Sequence, residues 1–191
     1  MSKPAIFLDR DGTINEQVGY LNHIDRLWLL PGVAKAIRQL NEYPLPVIVV
    51  SNQAGAARGY FPEDLVTEVN AKMEALLAAE GAHIDGLYYC PHLKDGKIAH
   101  LDVDCNCRKP KPGMLLRAAK EHDIDLKRSY VVGDRMGDVA FGQSVGAKGI
   151  LVLTGYGKGE RDHIAGTTPD HIAKDLQAAV DWIIQDLEKS K

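Results

Sequence analysis

Short apolar runs at residues 5–8, 47–50, 86–89, 129–132 and 149–153 recur along the chain, with helical patterns between them. The runs lack polar–apolar alternation, so they read as strands buried on both faces of a parallel sheet. Val33, Ile37 and Leu40 form one helical stripe. A second stripe, Leu65, Val69, Met73 and Leu76, starts near Pro62 and stops at Gly81. Leu115, Leu116 and Ala119 suggest a third helix, residues 139–145 a fourth, and Leu176, Val180, Ile183 and Leu187 a last one. Alternating strand and helix predicts an α/β fold: a three-layer, Rossmann-like parallel sheet with right-handed crossovers. A chain of 191 residues, 45% hydrophobic, is long enough for one such core, and no linker or repeat divides it. A single domain over residues 1–191 is expected.

No apolar run approaches the roughly 18–20 residues that cross a bilayer. The first residues do not form a signal-peptide pattern. A net charge of −3 argues against non-specific binding to nucleic acid or anionic membranes. A soluble cytoplasmic monomer is expected, because no long apolar stripe is left over to ask for a partner.

In sheets of this kind ligands bind beyond the carboxyl ends of the strands. Asp9, Asp11, Gly12 and Thr13 follow the first run, and Ser51, Asn52 and Gln53 the second. Cys90 and His92 follow the third; Gly133, Asp134 and Arg135 follow the fourth, with Asp138 one helical turn on. Carboxylates converging from separate strands repel unless something neutralises them. Hard oxygen ligands suit Mg²⁺, which also accepts phosphate. A lone Asp at a strand end is commonly a cap or turn residue; the set points to metal.

Phosphate on such a metal needs further donors. Ser51 offers a hydroxyl, Asn52 an amide, and Arg58 a guanidinium from a loop ending at Gly59. Arg108, Lys109 and Lys111 put three cations in four residues, stiffened by Pro110 and Pro112.

All three cysteines lie within residues 90–107. Cys90-x-His92 and Cys105-x-Cys107 form two ligand pairs, and three thiolates with one imidazole suit tetrahedral Zn²⁺. Four protein ligands close the coordination sphere, so this zinc would be structural. His100 lacks the paired spacing. His23, His83, His122, His163 and His171 carry no site pattern and are expected at the surface or at caps.

Asp9-x-Asp11-Gly12-Thr13, Ser51-Asn52, Lys109-Pro110-x-Pro112 and Gly133-Asp134 with Asp138 resemble, in order, the four motifs of the haloacid dehalogenase superfamily of phosphohydrolases. The resemblance implies that Asp9 attacks phosphorus and that Asp11 serves as general acid, then base. It implies Mg²⁺ on the Asp9 carboxylate, the Asp11 carbonyl and Asp134, with Asp138 orienting metal-bound water. Ser51 and Lys109 would hold the phosphoryl oxygens.

About twenty residues separate Asp11 from the next helical stripe, too few for a cap domain, so an open catalytic mouth is expected. Capless length, the zinc loop, Gly19-Tyr20, Asn52-Gln53 and the Cys-x-Cys-Arg-Lys-Pro run resemble the group acting on D,D-heptose 1,7-bisphosphate. That resemblance implies a sugar bisphosphate substrate, loss of its 7-phosphate, and contacts from Gln17, Val18, Gly19, Tyr20, Ser51, Asn52, Gln53, Ala54, Arg108, Lys109 and Arg135. Ser51 stands where Thr is frequent and keeps the hydroxyl. Ala54 replaces a Ser or Thr and leaves only its backbone. Histidinol-phosphate phosphatases share the zinc loop and form the nearest rival. Polynucleotide 3′-phosphatase activity fits poorly with an acidic chain lacking a basic, aromatic surface. A phospho-accepting signalling module would carry its Asp on the third strand, where Cys90 and His92 stand.

Overall fold

The computed structural model describes residues 2–162 and 166–189. Six strands form one parallel sheet: β1 (Ile6–Leu8), β2 (Val47–Asn52), β3 (Gly86–Cys90), β4 (Tyr130–Gly133), β5 (Lys148–Val152) and β6 (His171–Ala173), in the spatial order β3-β2-β1-β4-β5-β6. The chain lays β1 to β3 outward in one direction and then returns to place β4 on the other side of β1. The switch point therefore lies between β1 and β4, where loops leave in opposite directions and open a crevice.

Both faces of the sheet are covered, which is why the strands read as unbroken apolar runs. Ile6, Leu8, Val47 and Val49 pack on one face with Ile37 of α1 (Val33–Asn41), Met73 of α2 (Asp64–Ala79) and Val180 of α6 (Leu176–Lys189). Phe7, Ile48, Val50 and Val131 point the other way, toward Leu115 of α3 (Gly113–His122) and Phe141 of α4 (Met136–Gln143). Successive strand residues thus feed opposite cores, as the two-residue pleat requires.

Several expectations shift. β2 runs two residues further than its apolar run and takes in Ser51 and Asn52, which pair with Tyr89 and Cys90 of β3. On α2 the buried stripe is Val66, Val69, Met73 and Leu77; Leu65 and Leu76 lie half-buried on its flank. Apolar neighbours at both positions make the two stripes nearly equivalent in sequence, and packing against the sheet selects one. Leu116 is 53% exposed, and α3 buries Met114, Leu115 and Ala118 instead. Val145 lies beyond the end of α4, in the turn before Gly146.

β6 and the short α5 (Gly157–Asp162) carry no sequence signal. A three-residue edge strand bonded on one side needs no long apolar run, and α5 buries only Gly157. His163, expected at the surface, lies outside the described residues. His23 caps a 3-10 turn and His83 is exposed, whereas His122 bonds the Tyr88 hydroxyl and His171 stacks on Trp182.

Between β1 and α1 the chain forms only a 3-10 turn, Ile24–Arg26, and between β3 and α3 only another, Ala99–Leu101. Neither segment builds a cap over the crevice. No helix among the described residues is long and apolar enough to cross a membrane.

Candidate active site

Asp9 directly follows β1 and its backbone N–H reaches across to the carbonyl of Val132 on β4, which fixes it at the switch point. Asp134 follows β4 and is fully buried. Asp138 sits in the first turn of α4, where its Oδ2 accepts the Arg135 N–H as part of a capping box. The capping role common for Asp thus falls to Asp138 and not to Asp134. One oxygen from each of these three carboxylates lies within 4.8 Å of the others.

Glycines let this cluster close. Gly12 has φ +88°, which L side chains rarely adopt, and a Cβ there would enter the Asp134 carboxylate. A Cβ on Gly133 would likewise collide with Asp138.

Lys109 supplies the compensating charge. Its Nζ lies 2.6 Å from Asp9 Oδ1, 2.6 Å from Asp138 Oδ1 and 3.0 Å from the Val50 carbonyl, so all three ammonium hydrogens are engaged. Burial opposes the charge on Lys109, but Asp138 and Asp9 outweigh it and hold the amine well above its ordinary range. Lys111, in contrast, is exposed and pairs with Asp104, which leaves Lys109 as the lysine of the site. The Asn52 side chain clamps the Lys109 backbone at both ends, accepting from its N–H at 3.0 Å and donating to its carbonyl at 3.2 Å.

One cation does not balance three carboxylates. Burial pushes Asp9 up to about 8 despite Lys109, with Asp138 and Asp134 adding to the rise. Burial also raises Asp134 to about 6, against the hydrogen bond from the Tyr156 N–H. The other oxygen of Asp134, Oδ1, is buried with no hydrogen-bond partner. An orphaned carboxylate oxygen beside two further carboxylates fits a hard divalent cation such as Mg²⁺.

Asp11 has a different environment. Burial works against its charge, yet Arg10, Asn15 and Gln53 together hold its carboxyl below the usual range. Arg10 is buried, donates to both Asp11 oxygens at 2.9 and 3.2 Å, and is anchored by Asn70 of α2. Two neighbouring carboxyls are therefore driven in opposite directions: Asp11 is held ionised by its donors, whereas Asp9 needs a further cation beside Lys109 to shed its proton.

These groups border a cavity of about 410 Å³. Of the substrate contacts anticipated from sequence, Gln17, Gly19, Tyr20, Ser51, Asn52, Ala54, Arg108, Lys109 and Arg135 line it. Val18 and Gln53 do not: Val18 packs on the core, and Gln53 is buried behind the wall. Arg58 is also absent from the wall. Tyr156 and Gly137 join the lining without having been anticipated. Tyr156 lies just past β5, and reading that strand end like the other four would have found it. The Arg135 guanidinium stacks over the Tyr156 ring at 4.1 Å.

Cys90, His92, Cys105 and Cys107 come together beside this cavity, their donor atoms within 4.8 Å of one another. Their thiols are free of disulfides, and Cys107 Sγ lies 3.0 Å from Cys90, 3.2 Å from Cys105 and 3.3 Å from His92 Nδ1. Three thiols and an imidazole at such spacing fit one tetrahedral soft ion. Burial raises the Cys90 thiol, whereas hydrogen bonds from Cys107 and Cys90 overcome burial and lower Cys105 to about 6. Arg108 ties the cluster to the cavity wall by donating to the His92 carbonyl, and the Cys90 carbonyl accepts the N–H of Gln53 behind that wall.

Comparison with known proteins agrees with this geometry. The HAD-hydrolase-like family model matches residues 106–179. D-glycero-D-manno-heptose-1,7-bisphosphate 7-phosphatase of Thermosynechococcus vestitus is 44% identical, over 96% of both chains. The D-glycero-beta-D-manno-heptose-1,7-bisphosphate 7-phosphatase of Escherichia coli K12 is 40% identical, over 97% of this chain and 91% of that one. The crystal structure of D,D-heptose 1,7-bisphosphate phosphatase from B. bronchiseptica, complexed with magnesium and phosphate, superposes with a TM-score of 0.86 at 32% identity, covering 96% of this chain and 99% of that one. Fold and site define a phosphatase of the haloacid dehalogenase class. Within it, the chain belongs to the D-glycero-D-manno-heptose-1,7-bisphosphate 7-phosphatase family.

Proposed function

We propose that this protein removes the 7-phosphate of D-glycero-D-manno-heptose 1,7-bisphosphate through an aspartyl-phosphate on Asp9. Near-full-length identity of 44% to a phosphatase of that name carries the reading. The convergence of Asp9, Asp134 and Asp138 around Lys109 supports the chemistry.

Asp9, Asp134 and the Asp11 carbonyl would hold Mg²⁺, which when bound neutralises the charge of the incoming phosphate. An Asp9 oxygen bonds to phosphorus as the bond to the sugar oxygen breaks, and Asp11 gives that oxygen its proton. Asp11 then takes a proton from water as the water oxygen attacks the acyl-phosphate, which frees phosphate and restores Asp9. Ser51 would hold a phosphoryl oxygen, and Lys109 would hold another by releasing one of its three present acceptors, while charge moves between them. Lys109 already lies beside Asp9, so the attacking carboxylate does not face the phosphate uncompensated.

The four-residue cluster at Cys90, His92, Cys105 and Cys107 would hold a structural Zn²⁺, leaving no open position for catalysis. We place the activity in the cytoplasm, where such thiols stay reduced. Phosphate release from the heptose bisphosphate, measured beside histidinol phosphate, tests the reading: the bisphosphate should be hydrolysed faster, and the reverse order refutes it.

A further inference from the structure

Gln53 belongs to the motif region and was expected to touch substrate, yet it is 6% exposed and stands outside the cavity wall. Its side-chain amide nitrogen lies 2.8 Å from Asp11 Oδ2 and 2.7 Å from Ser51 Oγ. We propose that Gln53 is a positioning residue that aims the Asp11 carboxylate and the Ser51 hydroxyl together and makes no contact with substrate. The proposal rests on the phosphatase reading, in which those two groups do the proton transfer and hold the phosphoryl oxygens.

A primary amide has two N–H donors. Here one goes to Asp11 and the other to Ser51, so none remains for a ligand. The amide cannot be turned over, because that would face its carbonyl oxygen toward the Asp11 carboxylate.

The bond to Ser51 sets the direction of a proton. A serine hydroxyl has one O–H and two lone pairs, and its rotor otherwise turns freely. Accepting from Gln53 occupies a lone pair on that side and directs the O–H elsewhere. Ser51 lines the cavity, so its hydroxyl is presented there as a donor, the polarity an anionic phosphoryl group requires.

Other donors also reach Asp11, but they come from its own side of the site. Arg10 is its chain neighbour, and Asn15 lies in the same turn. Gln53 comes from beyond the end of β2, and its backbone N–H is fixed at 2.8 Å by the Cys90 carbonyl of β3. It therefore ties the acid–base carboxylate beyond the end of β1 to the phosphate-facing hydroxyl of β2.

Gln53→Met keeps the length of the side chain and removes both donors. Steady-state kinetics should show kcat falling roughly 10–100-fold, the cost of misplaced reacting groups, with KM unchanged within about twofold. The melting temperature should stay near that of the parent. In a Ser51→Ala background the same substitution should cost less, because one of its two receivers is gone. A rise in KM at unchanged kcat would mark Gln53 as a substrate contact, and equal costs in both backgrounds would remove the link to Ser51; either overturns the proposal. If Gln53→Met does not fold, Gln53→Ala carries the same expectations. Each assay is run on the heptose bisphosphate and on an unrelated sugar monophosphate. The kcat loss should appear on whichever is hydrolysed, so a wrong choice of natural substrate would not be mistaken for failure of the Gln53 role.

Discussion

Lys109 Nζ and Asp9 Oδ1 lie 2.6 Å apart, although 100 positions separate the two residues in the chain. Both side chains are nearly buried. A buried ion pair is weak evidence for stability, since desolvation offsets much of the attraction. Its value in the proposed mechanism is local: it would hold the attacking carboxylate beside the cation that screens it from an anionic phosphate.

Asp9→Asn should therefore abolish turnover and leave the fold intact. The amide oxygen can still accept from Lys109, while the nucleophile is lost. Phosphate release at the parent rate, from a variant with a normal melting temperature, would contradict the assignment of Asp9.

The metal site predicts an unusual dependence of stability on pH. Without metal, Asp9 is raised by burial to about 8 and Asp134 to about 6. The folded protein then keeps protons that the unfolded chain has lost, so the contribution of these two carboxyls to stability falls as pH rises from about 4 to about 8. Metal-free protein should show a declining melting temperature over that interval, and Mg²⁺ should flatten the slope by taking the protons' place. A melting temperature that climbs with pH in the absence of metal would contradict this arrangement, as would activity that survives removal of divalent cations.

The cysteine cluster should matter to stability before chemistry. Cys107→Ser removes a thiol that lies 3.0 Å from Cys90 Sγ, 3.2 Å from Cys105 Sγ and 3.3 Å from His92 Nδ1. Purified protein should lose bound zinc and melt at lower temperature, with kcat affected only as the Arg108–Lys109 segment loosens. Elemental analysis finding no zinc in the parent protein, prepared without chelator, would dispose of the structural-zinc assignment.

Selectivity in an uncapped cavity has to come from a few polar groups at its mouth. Arg108 adjoins Lys109, lines the cavity and leans on the His92 carbonyl. In the proposed reading it would bind a second anionic end of the substrate, which a bisphosphate has and histidinol phosphate lacks. Arg108→Ala should lower kcat/KM for the bisphosphate by about 1–3 kcal/mol, the scale of a charge-assisted hydrogen bond. An equal loss for a monophosphate would show that Arg108 does not read the distal group.

Much of this was legible in the residues because the fold puts the chemistry at strand ends. Asp9, Asp134 and the Cys90–His92 pair stand at the ends of apolar runs, Cys105 and Cys107 repeat that pair's spacing, and their types restrict the ligands they can hold. Partners supplied by neighbouring helices were not legible. Asn70 reaches Arg10 from the middle of α2, where a polar residue at a buried position reads as a flaw in the stripe. The functions of Asn52 and Gln53 were hidden for a related reason. Their amides face a backbone and a carboxylate brought close only by the sheet order, so position in a motif could not separate substrate contacts from residues that hold the site together.

The central claim is the identity of the phosphate that leaves. Phosphorus NMR of D-glycero-D-manno-heptose 1,7-bisphosphate, followed during turnover with Mg²⁺, tests it most directly. The 7-phosphate resonance should disappear into inorganic phosphate while the anomeric phosphate remains on the sugar. Loss of the 1-phosphate with the 7-phosphate retained would contradict the account.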